Sequence, residues 1–178
     1  MSALGGLHDS QRLPFAFAHD HMRSVIGNGP EAFARAKTAF RNWAMFDLGW
    51  VRVANPEADI AAGQLVAVEA HTLGLWTINL SRIIEVVDTP NRFGFLYGTT
   101  KKHVEQGEER FFLGFDPTSG DVSYLLEAVS RPSDSMARLG FFFTRACQHR
   151  FARDSHQRMK DNLLDTRSMP GIEKLPPP

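Results

Sequence analysis

The fold of this chain is decided by residues 92–130, RFGFLYGTTKKHVEQGEERFFLGFDPTSGDVSYLLEAVS. This stretch contains three runs rich in aromatic and β-branched residues, which predict strands at Arg92 to Thr99, Glu108 to Phe115 and Val122 to Ser130. A polar loop separates the first two runs, and a loop with proline and glycine separates the last two. Parallel strands need a crossover of about a dozen residues or more, so these short connections predict three neighbouring antiparallel strands.

Four further strand-like runs precede this stretch, at Leu13 to Ile26, Leu48 to Ala54, Gln64 to His71 and Leu75 to Val87. Residues 1–12 are weakly patterned and predict a flexible lead. The tail over residues 165–178 contains four prolines, which cannot continue a helix. We therefore predict a single domain over residues 13–164.

One helix is predicted before the later strands and one after them. The first begins at Pro30, whose fixed φ suits a first helical position, and ends near Phe46 or Asp47. The second runs from about Ser133 to Leu164. Its apolar stripe, predicted to be buried, comprises Met136, Leu139, Phe143, Cys147, Phe151 and Met159. Its opposite, basic face comprises Arg138, Arg145, His149, Arg153, His156 and Lys160.

This order of elements predicts an α+β fold in which a curved antiparallel sheet wraps its concave, aromatic-rich face around the last helix. The chain has 14 phenylalanines, whose rings can fill a core or line an apolar cavity. The element order resembles the helix-grip arrangement of the START-like or Bet v 1-like superfamily (SRPBCC). That resemblance implies an apolar ligand held between the sheet and the last helix.

Several short motifs together resemble the signature of the uncharacterised family DUF1990. The main ones are Gly94 to Thr99, His103, and Gly107 to Phe111. Supporting pieces are Gly27-Asn28-Gly29, Trp43, Ser130-Arg131-Pro132 and Gln148. The chain departs from the pattern after Thr99, where Thr100-Lys101-Lys102 stands in place of Leu and Pro-Gly. The resemblance covers about residues 23–160, and it implies no established activity, cofactor or catalytic residue.

Composition argues against several classes of protein. Twenty basic residues balance 20 acidic ones, so charge gives no reason to expect nucleic acid as a partner. Cys147 is alone and cannot form an intrachain disulfide or a cysteine-based metal site. We find neither a secretory signal pattern nor an apolar run of about 20 residues, and so expect a cytoplasmic protein without a transmembrane segment. We expect no cofactor.

Two motifs allow both a functional and a structural interpretation. Residues Gly27 to Ala32 match the G-x-G-x-x-A pattern of dinucleotide-binding turns, but antiparallel strands follow and Pro30 removes one amide. The pattern therefore favours a structural turn. His19 and His21 share one face of a strand and could supply half of a metal site. Since no third ligand is indicated, we predict no metal site.

The candidate ligand site lies at one end of the three central strands. Its predicted members are Tyr97, Thr99, His103, Glu108, Arg131 and Gln148. Glu108 and Glu109 must face opposite sides of a strand, and whichever is buried needs a partner, for which Arg131 is the natural candidate. A structural ion pair is favoured over catalysis.

Three functions stay open at this point. The leading hypothesis is a domain that binds a small apolar or amphipathic ligand and is not an enzyme. An alternative is an enzyme that uses Tyr97, His103, Glu108 and Arg131 at the mouth of the cavity. The other alternative is a module that contacts a protein or a membrane surface through the basic face of its last helix.

Overall fold

The computed structural model describes residues 18–99, 105–132 and 141–164. The strands are β1 (Ala18–Asn28), β2 (Val51–Val53), β3 (Leu65–Thr72), β4 (Leu75–Thr89), β5 (Arg92–Thr99), β6 (Glu105–Phe115) and β7 (Asp121–Pro132). The helices are α1 (Pro30–Arg41), a 3-10 helix (Ala44–Phe46) and α2 (Phe141–Leu164). The predicted flexible lead, the residues Leu13 to Phe17, His103, the helix start at Ser133 and the predicted tail lie outside the described residues.

All seven strands form one antiparallel sheet in the order β1-β7-β6-β5-β4-β3-β2. The predicted antiparallel neighbours β5, β6 and β7 are adjacent, with Gly98 opposite Glu108 and Glu108 opposite Val129. Strand β1 joins the sheet beside β7, at the far end from β2. The curved sheet and the C-terminal helix that packs on it confirm the predicted α+β architecture.

The first helix is shorter than predicted. It begins at Pro30, preceded by Gly29 with a φ of 89°, which confirms the turn expected there. It ends at Arg41 instead of continuing to Asp47, because Trp43 adopts a left-handed conformation with a φ of 56°. The Trp43 indole donates a hydrogen bond to the Ala58 carbonyl (3.0 Å), which fixes this break.

The concave face of the sheet carries the main core. Side chains alternate between faces along a strand, so every second residue of β5, β6 and β7 points inward. Phe40 of α1 is fully buried and forms edge-to-face contacts with Phe93, Phe95 and Tyr124, whose centroids lie 5.6 to 6.2 Å away. Helix α1 therefore packs into one end of the concave face.

The convex face explains why residue 94 is a glycine. A Cβ at Gly94 would lie 2.1 Å from the Phe111 carbonyl oxygen and 2.6 Å from the Phe112 ring. The close approach that glycine allows is therefore made by strand β6 and not by a ligand. The guanidinium of Arg92 stacks on the same Phe112 ring at 4.4 Å.

Helix α2 is rotated relative to the prediction. The buried residues of its described side chains are Ala152, Ser155, His156, Met159 and Leu163. His156, predicted on the basic outer face, is only 2% exposed, because its ring packs on Tyr124 at a centroid distance of 4.3 Å. Phe151 is half-buried against Phe46 and Phe111, whereas the side chain of Phe143 lies outside the described ones.

Candidate functional site

A cavity of about 370 Å³ lies between the concave face of the sheet and the N-terminal half of α2. Its apolar lining consists of Phe46, Trp50, Val51, Val68, Ala70, Leu126, Ala128, Cys147 and Phe151. Its polar lining consists of Asp20, Thr72, Thr77, Asn79, Ser81, Tyr97, Glu109 and Gln148. The volume lies near the lower end of the range for small-molecule sites.

Trp50 ties one edge of the cavity to α2. Its indole donates a hydrogen bond to Asp154 Oδ2 (3.1 Å), and the Arg150 guanidinium stacks on its ring at 4.3 Å. The ring of Phe151 lies 5.3 Å from that of Phe46, so aromatic side chains also join α2 to the 3-10 helix. These contacts hold the apolar wall in place without filling the space beside it.

A buried tyrosine and a carboxylate meet at the inner end of the cavity. Tyr97 and Glu109 are direct cross-strand partners, and the Tyr97 hydroxyl donates a hydrogen bond to Glu109 Oε2 at 2.8 Å. Burial raises the pKa of Tyr97 well above its ordinary value, and the negative charge of Glu109 raises it further. Tyr97 therefore keeps its proton at neutral pH and acts as a donor.

An ion pair links β1 to α2 beside the cavity. Arg145 Nη2 donates to Asp20 Oδ1 at 2.5 Å, and Arg145 Nη1 also contacts the second carboxylate oxygen. The same Nη1 donates to Gln148 Oε1 at 3.0 Å. Both Asp20 and Gln148 line the cavity, so the pair fixes two of its polar side chains.

Strand β4 contributes a polar wall that the sequence did not point to. Thr77, Asn79 and Ser81 line the cavity, although only Ser81 is buried, Asn79 is half-buried and Thr77 is exposed. The neighbouring Trp76 and Ile78 are exposed on the other side. A sheet with one solvated face normally buries the apolar set and exposes the polar one. Here the polar set is the one that faces the cavity. The sequence shows a strict alternation of polar and apolar residues from Trp76 to Ser81, but this alternation does not determine which of the two sets faces the interior.

The predicted site residues separate into three groups. Tyr97 and Gln148 line the cavity. Glu108 lies on the opposite face and is buried there, so the carboxylate that faces the cavity is its neighbour Glu109. Thr99 ends β5 opposite Ser81, and Arg131 is the last residue but one of β7, opposite Gln106. The side chains of both, like all of His103, lie outside what the structure describes. The Glu108–Arg131 ion pair thus stays a prediction.

A second polar group lies deeper in the core, outside the cavity lining. Tyr124 and Ser155 share a hydrogen bond of 2.9 Å, and the Ser24 hydroxyl lies 2.6 Å from Nδ1 of His156. Burial, with a smaller contribution from the nearby Lys160 charge, lowers the pKa of His156 to about 4. His156 is therefore neutral at physiological pH.

The described residues include no cluster of three or more histidine, cysteine, aspartate or glutamate side chains that could hold a metal ion. His21, one of the two histidines considered above, is exposed, and the side chain of His19 is not among those described. Within the same residues, no helix has the length and apolarity needed to cross a membrane.

Comparisons with known proteins agree with the resemblance seen in the sequence. A family model described as "Domain of unknown function (DUF1990)" matches residues 3–158. A UPF0548 protein of Dictyostelium discoideum is 34% identical over 154 residues, which covers 80% of this chain and 71% of that protein. A UPF0548 protein of Deinococcus radiodurans is 33% identical over 142 residues, covering 74% and 71%.

Solved structures with low sequence identity share the fold. Ara h 8.0201 superposes with a TM-score of 0.56 at 12% identity, covering 83% of this chain and 98% of that one. The di-domain ARO/CYC BexL from the BE-7585A biosynthetic pathway gives 0.59 at 14% identity, covering 91% and 53%. TTHA0849 from Thermus thermophilus gives 0.58 at 14%, covering 85% and 100%. The fold is thus a Bet v 1-like helix-grip fold.

Proposed function

The chain belongs to the DUF1990 family of domains of unknown function, and we propose that it binds a small amphipathic molecule in the cavity between the sheet and α2. The observation that carries this proposal is the cavity itself, in which aromatic and aliphatic side chains form one wall and polar side chains the other. Such a mixed lining suits a ligand with an apolar body and a few polar groups.

The similarity in fold to an ARO/CYC of a biosynthetic pathway supports a small organic ligand, as an analogy at the level of fold. The contacts of the cavity wall support it independently. The Trp50–Asp154 hydrogen bond and the Asp20–Arg145 ion pair hold α2 away from β3 and β4 at fixed points, so the cavity is preformed.

The geometry favours binding over the enzymatic alternative. That alternative needs Glu108 at the cavity mouth, and Glu108 faces the other side of the sheet. Tyr97 is held in its protonated form, so it suits donation of a hydrogen bond better than abstraction of a proton.

The geometry also favours binding over docking through the basic face of α2. Several arginines of that helix are engaged within the chain: Arg145 with Asp20, Arg150 with Asp154, and Arg158 with Asp47. These pairs reduce the net positive charge that an anionic surface would attract.

The test measures binding of the fluorescent probe N-phenylnaphthylamine to the wild type and to a variant in which a larger side chain fills the cavity. Native mass spectrometry of the protein as purified shows whether it retains a small molecule. We expect the wild type to bind the probe and Ala70→Phe, which places a ring in the cavity, to lose binding. The matched control is Ala67→Phe on the same strand, since an odd spacing puts residue 67 on the other face. Equal probe binding by both variants, or none by the wild type, would contradict the proposal.

A further inference from the structure

The end of the β3–β4 hairpin concentrates apolar side chains at the surface. The described residues include eight large apolar side chains that are exposed to solvent, and four of them lie within residues 73–78. These four, which we call the hairpin tip, are Leu73, Leu75, Trp76 and Ile78, and they are between 49 and 82% exposed. Single exposed apolar residues are common on protein surfaces, whereas a group of them marks a contact site.

The turn of this hairpin departs from the usual turn chemistry. Thr72 pairs with Leu75, so the loop has two residues, Leu73 and Gly74, with φ values of 51° and 79°. Two-residue turns with positive φ favour asparagine or aspartate before the glycine, because a bulky residue is strained there. Leu73 is thus unfavourable both for the backbone and for its contact with water. A residue that breaks two local rules at once is expected at a functional site.

The apolar side chains surround the end of the hairpin on both faces of the sheet. Leu75 lies opposite Thr72, which lines the cavity, so Leu75 is on the concave side. Trp76 and Ile78 alternate with it and lie on the convex side, and Leu73 forms the end of the turn. A partner protein or a second copy of the chain would cover one of these faces. A lipid surface surrounds all of them, and the arrangement therefore favours lipid.

The size of the hairpin tip favours the same partner. A stable protein–protein interface involves about 20 to 30 residues on each side, so a contact limited to the tip is too small for one. A few leucine and tryptophan side chains can hold a protein at a lipid surface, because each buried side chain adds its own transfer free energy.

The surroundings of Trp76 suit the boundary between lipid and water. Its ring stacks on His71 at 4.9 Å and on the Arg52 guanidinium at 4.8 Å. Arg52 also forms an ion pair with Glu69 at 2.6 Å, so the arginine brings no net charge. Tryptophan is enriched at this boundary, where one side of the ring is apolar and the other is close to polar groups. Attachment through the tip should therefore not require anionic lipid.

From these observations we propose that the hairpin tip inserts into a lipid surface and holds the protein there reversibly. Leu73 and Leu75 enter the apolar layer, and Trp76 lies at the level of the head groups. Because Thr72 and Thr77 line the cavity, insertion brings the cavity to the lipid surface, from which an amphiphile can enter. The attachment itself does not depend on the function proposed above.

The test is flotation of the protein with small vesicles of phosphatidylcholine, a lipid without net charge. We expect the wild type to float with them at low and at high salt alike, since salt screens charges and not apolar insertion. Vesicles with brominated acyl chains should quench the tryptophan fluorescence of the wild type more strongly than that of Trp76→Phe. The phenylalanine keeps an apolar ring, so this variant should still float.

The variant that removes the apolar end is Leu73→Asn/Leu75→Thr. Asparagine suits the positive φ of the turn and threonine suits a strand, so we expect the protein to fold. Its partitioning into vesicles should fall about tenfold or more, because two apolar side chains no longer leave water. The matched control is Val25→Thr, at an exposed position of β1, which is the edge strand opposite β2, and it should float like the wild type.

The other outcomes overturn the proposal. It falls if the wild type does not float with phosphatidylcholine, or if folded Leu73→Asn/Leu75→Thr floats equally well. Flotation with anionic vesicles alone, and only at low salt, would indicate the basic face of α2 instead. Self-association through Leu73 and Leu75 without flotation would indicate a second copy of the chain. If the double variant does not fold, equal quenching of the wild type and Trp76→Phe overturns the proposal. Binding of N-phenylnaphthylamine is measured without vesicles, so the two proposals are tested separately.

Discussion

The two ends of the space between the sheet and α2 are built on the same sheet but are filled differently. At one end Phe40 of α1 packs among Phe93, Phe95 and Tyr124, and the buried residues of α2 close over them. At the other end the sheet consists of β2, β3 and β4, and the cavity remains between them and Phe151. Helix α1 fills one end with its side chains and leaves the other open.

Polar groups at the two ends differ in the same way. In the filled end Tyr124 bonds to Ser155, and Ser24 bonds to Nδ1 of His156, so these atoms are paired within the core, although Nε2 of His156 has no hydrogen-bond partner among the described residues. In the cavity end the Thr77 hydroxyl donates to the Ala70 carbonyl oxygen (3.3 Å), whereas Asn79 and Ser81 line open space. Polar pairs that close on each other stabilise a fold, whereas polar groups that face a cavity are accessible to the ligand that we propose.

The largest expected effect is the loss of Phe40 from the filled end. Phe40→Ala should lower the free energy of unfolding by about 4 kcal/mol, because a fully buried ring with three aromatic contacts leaves a cavity. Phe151→Ala, at a half-buried position on the cavity wall, should cost roughly half as much. Urea unfolding of both variants measures the difference. Equal losses would show that the two ends are packed alike.

The next effect concerns pH and His156. Its pKa is about 4 in the folded protein and ordinarily about 6.5, so both states are neutral above pH 6.5 and the residue then has no effect on stability. As the pH falls from 6.5 to 4, the unfolded state binds the proton first, and about 2 to 3 kcal/mol of stability is lost.

The measurement is the pH dependence of urea unfolding for the wild type and His156→Gln. The glutamine does not titrate, so its curve should lack this part of the acid loss, and the exposed His21 and His71 remain in both proteins as an internal control. Parallel curves over that interval would indicate that His156 is not buried in neutral form.

The smallest expected effect is in the cavity wall. Asn79→Leu should change the free energy of unfolding by less than about 1 kcal/mol, because the amide faces open space and leucine suits a strand better. The matching change in the filled end, Tyr124→Phe, strands the Ser155 hydroxyl and should cost about 1 to 2 kcal/mol. Thermal unfolding of the two variants measures these changes. A larger loss of stability for Asn79→Leu than for Tyr124→Phe would contradict the distinction between the two ends.

Part of the site could be predicted from short sequence motifs. Tyr97 and Gln148 were identified from motifs, and both line the cavity. Glu109 was set aside for Glu108 because β6 shows no alternation: Phe111, Phe112 and Leu113 are all buried, two on one face and one on the other. A strand buried on both faces has no apolar period from which to tell which carboxylate points inward.

The sequence by itself determined the order of elements, the antiparallel pairing and the presence of a long final helix. These follow from local patterns: turn residues between short runs, and the period of apolar positions. Only the tertiary structure decided which face of β4 is interior, which of Glu108 and Glu109 meets Tyr97, and that His156 is buried. The rotation of a helix and the phase of a strand depend on what packs against them, and those contacts come from residues distant in the chain.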